Sequence, residues 1–393
     1  MTRRYSGPVF LSIGFRPFFI GSGTWAVFSM LAWIASLSGY ITLPDHMGPA
    51  QWHSNELLFG VIGAAMIGFL LTAIPNWTGG LPLRGAPLLL SFGLWCAGRV
   101  AAMFGDYLGG PATALIDCAF FVALFALILR EILHGKNWRN LPMAVAVGLF
   151  AVAHILFYLE ALETVNLGGV GQRLGLGVIA FMLTLIGWRI VPSFTANWLR
   201  QHASNNARAQ GVAAVMGPVD KAVLLITVPA LLAWIIAPEH PVTGIALVIA
   251  GPANLLRLAR WRGVYTYPYP EPLVFVLHVG YAWLAASFML LGAAVLSDSV
   301  AQGDALHALT AGAAGTMILA VMSRAILGHT GNVLHADRVT AIAYCFVSVA
   351  ALARLAVIAL PEWGVELYSA SGSAWILAFG LFVWRYGPIS IRG

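Results

Sequence analysis

Long apolar blocks alternate with short polar breaks along this chain, and the breaks fall at Pro, Gly, Asn or charged residues. A membrane-spanning helix needs about 20 mostly apolar residues. Blocks of suitable length run over 18–40, 53–74, 86–104, 112–132, 141–161 and 174–194, then 222–236, 242–258, 273–296, 305–327, 340–360 and 365–384. The pattern predicts an all-α, polytopic integral membrane protein with about twelve transmembrane helices, 1–393 forming a single transmembrane bundle domain. The longest connection, 195–216, contains "NWLRQHASNNARAQG" and reads as a surface helix or loop. The segment before the first block is too broken by Gly, Pro and Arg16 to be a signal-peptide core.

Composition agrees with that reading. Apolar residues make up 60% of the 393 and charged residues 9%. Soluble domains carry roughly 25% charged residues. Lipid must therefore be the main solvent. With the N-terminus in the cytoplasm, 18 of the 21 Lys and Arg residues fall on inner ends and loops, leaving Arg99, Arg173 and Arg354 outside. Such a bias predicts both termini cytoplasmic. The acids lean outward, among them Glu56, Asp106, Asp117, Glu160 and Asp304. The net charge of +6 is thus a topology signal spread over many loops, and no nucleic acid partner is implied. Cys96, Cys118 and Cys345 stand singly, with no CxxC or CxxCH, which argues against disulfides, iron–sulfur clusters and covalently attached haem.

Candidate chemistry lies with histidines. His53, His154, His278, His307 and His329 fall within or at the ends of apolar blocks. An ionisable group at membrane depth is costly and points to function, and imidazole is the commonest transition-metal ligand. On the second span, "WHSNELLFGVIGAAMIG" puts His53, Glu56, Gly60 and Gly63 or Ala64 on one face at helical spacing. On the tenth, "HALTAGAAGTM" puts His307, Ala311 and Ala314 or Gly315 on one face. A histidine above a strip of very small residues suits a flat macrocycle such as haem; it equally suits close helix packing. His53 and His307 are the expected ligands of a non-covalent haem b. His278 and His329, with Arg324, are expected to build a separate inner-side site for copper or a second haem. His154 is a further candidate metal ligand.

Three roles are open for Glu56, the candidate catalytic residue. It could receive the second ring N–H of a ligand His53, relay protons, or pair with Arg99 or Arg173. Arg189 and Arg324 are candidate cofactor-binding cations, since guanidinium groups pair well with carboxylates such as haem propionates. Substrate anions would suit them equally.

"GFRPFF", "WHSNELLFG", "GFLLTAIPNWTGG", "WRIVPSFTANWLR", "LHVGYAWL" and "VMSRAILGHTG" together resemble the NnrS family over essentially the whole chain. The resemblance implies a twelve-span protein of the bacterial cytoplasmic (inner) membrane that contains haem and copper. It also implies a link to nitric oxide metabolism, nitrosative-stress resistance or denitrification. The family's histidines map onto His53, His278, His307 and His329. Asn55 stands where the family's second motif commonly has a second histidine, a departure that touches the copper set more than the haem. Two further departures are Gly187-Trp188-Arg189, where the family has a double glycine before the arginine, and Asn332, where it has an arginine. A looser likeness to the catalytic subunit of haem–copper oxidases stops at spans six and seven, which here carry no histidine.

The expected function is a membrane haem and copper protein that binds nitric oxide or a related nitrogen oxide, or acts on it as a redox enzyme. A membrane or periplasmic electron donor would then be a partner. Two rivals stand beside it: a twelve-span secondary transporter of a small anionic solute, and a non-catalytic sensor or assembly factor.

Overall fold

The computed structural model describes residues 5–78, 82–136, 138–202, 211–212, 216–266 and 271–392. Much of the 195–216 connection lies outside these residues, but its start belongs to a helix that runs to His202. Among the described residues all regular structure is helical. Twelve helices are long and apolar enough to cross a membrane. They are α1 (Phe15–Leu37), α2 (Pro49–Pro75), α3 (Ala86–Met103), α4 (Gly110–His134), α5 (Leu141–Ala161) and α6 (Val170–His202), followed by α7 (Pro218–Ile236), α8 (Pro241–Arg260), α9 (Pro272–Leu296), α10 (Gln302–His329), α11 (Arg338–Ala356) and α12 (Pro361–Arg392). The chain is a multi-pass membrane protein.

Pro stands at the first or second position of α2, α3, α4, α5, α7, α8 and α9. A helix start tolerates Pro because its missing N–H would have no intrahelical partner there. Most helices begin a few residues before their apolar blocks do. The α7 helix takes in Asp220, whose carboxylate accepts the Gly217 N–H at 3.0 Å and so caps the start. The α2 helix starts at Pro49, ahead of His53. Many helix faces carry exposed apolar side chains, such as Leu90, Leu115, Leu225 and Val365. Water would penalise such surface; lipid does not.

The chain divides into two compact units. Unit 1 comprises Met1–Val178, Ala325–Asn332 and Phe379–Gly393, and unit 2 comprises Ile179–Arg324 and Val333–Ala378. In unit 1, α1 packs on α2, and α4 packs on α3 and α5. Phe59 is fully buried, with Phe121, Phe150 and Phe157 around it at ring separations of 6.4, 5.0 and 5.6 Å. In unit 2, α9 is central, packed on α8 and α10. Its seam with α8 is made by glycine: a Cβ on Gly251 would meet Met289 Cγ at 2.3 Å, and one on Gly292 would meet the Gly244 carbonyl at 2.6 Å. Small residues let apolar helices approach closely where lipid gives no hydrophobic drive between them.

Two segments depart from α-helical pairing. Glu56–Ile62 in α2 and Ala308–Gly315 in α10 are π-helical. Each begins within three residues of a histidine, His53 or His307. A π segment pairs i with i+5, and such segments are frequent at functional sites. They also change which residues share a face, so the 3–4 spacing that aligns His53 with Gly60 does not carry through this turn.

Candidate functional site

Unit 1 holds a buried polar cluster drawn from five helices. Arg99 on α3 places Nη1 2.8 Å from Oε1 of Glu56 on α2. Its Nη2 pairs with Oδ1 of Asp117 on α4. Trp25 of α1 donates its indole N–H to Glu56 Oε2 at 2.6 Å. Asn55 donates its amide to Glu56 Oε1 at 2.9 Å and to Asp117 Oδ2 at 3.0 Å. Tyr158 of α5 donates to Asp117 Oδ2 at 2.8 Å. His154, also on α5, sets Nε2 3.0 Å from Asn55 Oδ1 and 3.5 Å from Asp117 Oδ2. Its ring stacks on Phe59 at 4.0 Å.

Glycine makes room for these charges. A Cβ on Gly60 would sit 2.6 Å from Arg99 Nη1, and one on Gly98 would sit 2.4 Å from Asp117 Oδ1. The strip of small residues beneath His53 is thus occupied within its own unit. Gly60 faces Arg99 and Trp25, and Gly63 faces Phe121. The matching strip on α10 is likewise filled, Gly312 by Trp283 and Gly315 by Trp375. Of the two readings of these strips, close packing is the one observed, and neither glycine face is left bare for a flat ring.

For Glu56, the ion pair with Arg99 is observed. Arg173 instead donates to the Gly168 carbonyl at 2.5 Å. The sequence reading missed Asn55, Asp117, Tyr158 and Trp25 as partners. The available signal was cost: an acid or amide at membrane depth needs a partner.

The other candidates lie in varied settings. His53 is half-buried and stacks on Trp33 at 4.4 Å. His307 is held by the Gly303 carbonyl 2.7 Å from Nδ1. A carbonyl only accepts, so Nδ1 carries the hydrogen and Nε2 keeps its lone pair in the neutral ring, the form that ligates metal. His278 is buried, with Nδ1 3.1 Å from the Val274 carbonyl and Nε2 3.3 Å from Thr195 Oγ1. His329, at the end of α10, is exposed and stacks on Phe15 at 5.5 Å. Arg324 lies over the Phe194 ring at 3.8 Å. Arg189 is exposed beside Trp188. Among the described residues, no three His, Cys, Asp or Glu side chains gather in a group that could hold a metal ion.

Unit 2 has its own buried pair. Arg257 Nε donates to Asp220 Oδ1 at 2.8 Å. Its Nη1 donates to Tyr281 Oη and to the Thr184 carbonyl, both at 3.2 Å. Tyr281 in turn donates to Asn254 Oδ1 at 2.7 Å, and Asn254 donates to Thr227 at 2.9 Å.

These features define a class: a polytopic α-helical membrane protein with buried ionic clusters and histidines at the heads of two π-helical turns. The chain belongs to the NnrS family, whose model, described as "NnrS protein", matches residues 9–393. A comparison with curated proteins finds no match.

Proposed function

We propose that this protein is a haem protein of the bacterial inner membrane that binds or turns over nitric oxide or a related nitrogen oxide. The observation that carries the reading is membership of the NnrS family over 9–393. His307 fits a haem-ligand role, because Gly303 fixes its tautomer with Nε2 as donor. His53 fits as an imidazole held against Trp33. Each would be a ligand to b-type haem, which when bound would supply the iron that takes a nitrogen oxide. His278, His329, Arg189 and Arg324 are proposed as further cofactor contacts. Copper, as the family resemblance implies, is proposed as a second metal; among the described residues no three His, Cys, Asp or Glu side chains gather in a group to hold it.

Transport of an anionic solute has less support. The cations Arg99, Arg257 and Arg354 are already paired with carboxylates, Arg354 with Asp304 at 2.6 Å. The test is a reduced-minus-oxidised optical spectrum of the purified protein with and without nitric oxide. A haem spectrum that nitric oxide shifts is the expected result. Purified, folded protein with no haem band would overturn the reading.

A further inference from the structure

The unit 1 cluster sets one cation against two carboxylates. Arg99 pairs with Glu56 and with Asp117, and a guanidinium does not lose its proton in a protein. The three groups are 3%, 0% and 2% exposed. Unit 2 differs, because there Arg257 faces Asp220 alone. An uncompensated charge at membrane depth is costly. This cluster therefore needs one proton beyond what the Arg99 ion pairs supply.

Hydrogen-bond direction narrows where that proton sits. Both carboxyls receive donors, but Asp117 has Oδ1 held by Arg99 and Oδ2 by Asn55 and Tyr158, with His154 Nε2 3.5 Å away. Among the described residues, Oε2 of Glu56 meets only the neutral Trp25 indole, so of the two the Glu56 carboxyl is where a proton fits. The Asn55 amide N–H groups are spent on Glu56 and Asp117, so its Oδ1 can only accept. His154 Nε2 therefore carries a hydrogen. His154 Nδ1 is fully buried and has no partner. Two positions are left for the additional proton, the Glu56 carboxyl and His154 Nδ1, and one amide side chain joins the two residues.

We propose that Glu56 and His154, linked through Asn55, form a site that binds one exchangeable proton inside the membrane. The proton comes from water and returns to it, and only an O–H or N–H bond is made or broken. The groups around the site are Trp25 on α1, Cys96 and Arg99 on α3, Asp117 and Cys118 on α4, and Tyr158 on α5. The inference goes beyond the nitric oxide reading and stands without it, since it rests on charge count and donor direction.

The test is infrared difference spectroscopy between acid and alkaline pH on the purified full chain, with melting measured alongside. Wild-type protein is expected to show a pH-dependent carboxylic acid or imidazole band. Glu56→Gln keeps shape and removes one negative charge; it is expected to abolish that band and to melt like wild type. His154→Gln is expected to confine the proton to Glu56, giving a carboxylic acid band that persists across the pH range. Bands unchanged from wild type in both folded variants would overturn the proposal. Should a variant fail to accumulate, carboxyl-labelled glutamate and ring-labelled histidine in wild-type protein give the same answer. No pH-dependent band from either label would then overturn it.

Discussion

Arg16, in the first turn of α1, donates to the main-chain carbonyl of Ser390, in the last turn of α12, at 2.9 Å. A second bond from the same guanidinium nitrogen reaches the Ile389 carbonyl at 3.1 Å. The final carbonyls of a helix have no intrahelical partner and carry the negative end of its dipole. One cation thus satisfies both needs and fastens the last turn of α12 to the first turn of α1.

Arg16→Ala should therefore loosen the last turn of α12. Hydrogen bonds to a charged group contribute about 1.5–3 kcal/mol. The expected result is a lower melting temperature, with faster hydrogen exchange near 386–391. Wild-type exchange in that turn would show that α12 does not depend on Arg16.

Gly60→Ala and Gly98→Ala should both destabilise, though neither residue is charged. The added methyl would lie 2.6 Å from Arg99 Nη1 in the first case and 2.4 Å from Asp117 Oδ1 in the second. Overpacking a full interior costs about 1–3 kcal/mol. Gly93→Ala is the control, since a Cβ there meets nothing within 4 Å. Equal melting of all three variants would contradict this account.

The twelve spans were legible because membrane length and apolar run length are the same quantity. The π-helical turns were not, because "ELLFGVI" and "ALTAGAAG" suit an α-helix equally well. Arg99 was legible as one of two partners for Glu56, since both are outer-half charges. Asp117 was visible only as another outer-half acid, and its bond to Asn55 spans 62 residues. One sequence carries no record of such distant pairings. Asn55 was read as a missing imidazole; in the fold its amide joins two carboxylates to a histidine. Arg257 counts among the basic residues of inner ends and loops in the sequence, yet it and its partner Asp220 are buried.

The connection between α1 and α2 should open in acid. Asp106, on the one-turn helix Gly105–Leu108, accepts the Asp45 N–H at 2.9 and 3.0 Å and the His46 N–H at 2.8 Å. The Asp45 N–H, foremost, holds this carboxyl below its ordinary value, with the bonds from His46 assisting. A lowered folded pKa stabilises above the unfolded value of about 3.9, and that stabilisation fades as pH falls through the folded one. Proteolysis or exchange at 44–48 should rise below about pH 4 in wild type. In Asp106→Asn it should already be raised at neutral pH and change little with acid. A steep acid response in Asp106→Asn would assign the effect to another group.

Asp220→Asn should be among the most damaging single changes in unit 2. It leaves the Arg257 guanidinium, at 0% exposure, without its carboxylate. Tyr281 and the Thr184 carbonyl still accept from Nη1 but supply no negative charge. Breaking a buried ion pair from one side costs about 3–5 kcal/mol, because the surviving charge stays buried and unpaired. Removing both charges with well-packed apolar residues is often neutral or stabilising. Asp220→Leu combined with Arg257→Met should therefore melt above Asp220→Asn alone, although it alters two residues where the other alters one. Glu56→Gln provides the contrast in unit 1, since it removes charge from a cluster with a carboxylate to spare. Melting temperatures should fall in the order Glu56→Gln, then the double variant, then Asp220→Asn. If Asp220→Asn melted like wild type, the Asp220–Arg257 pair would not be what compensates this charge.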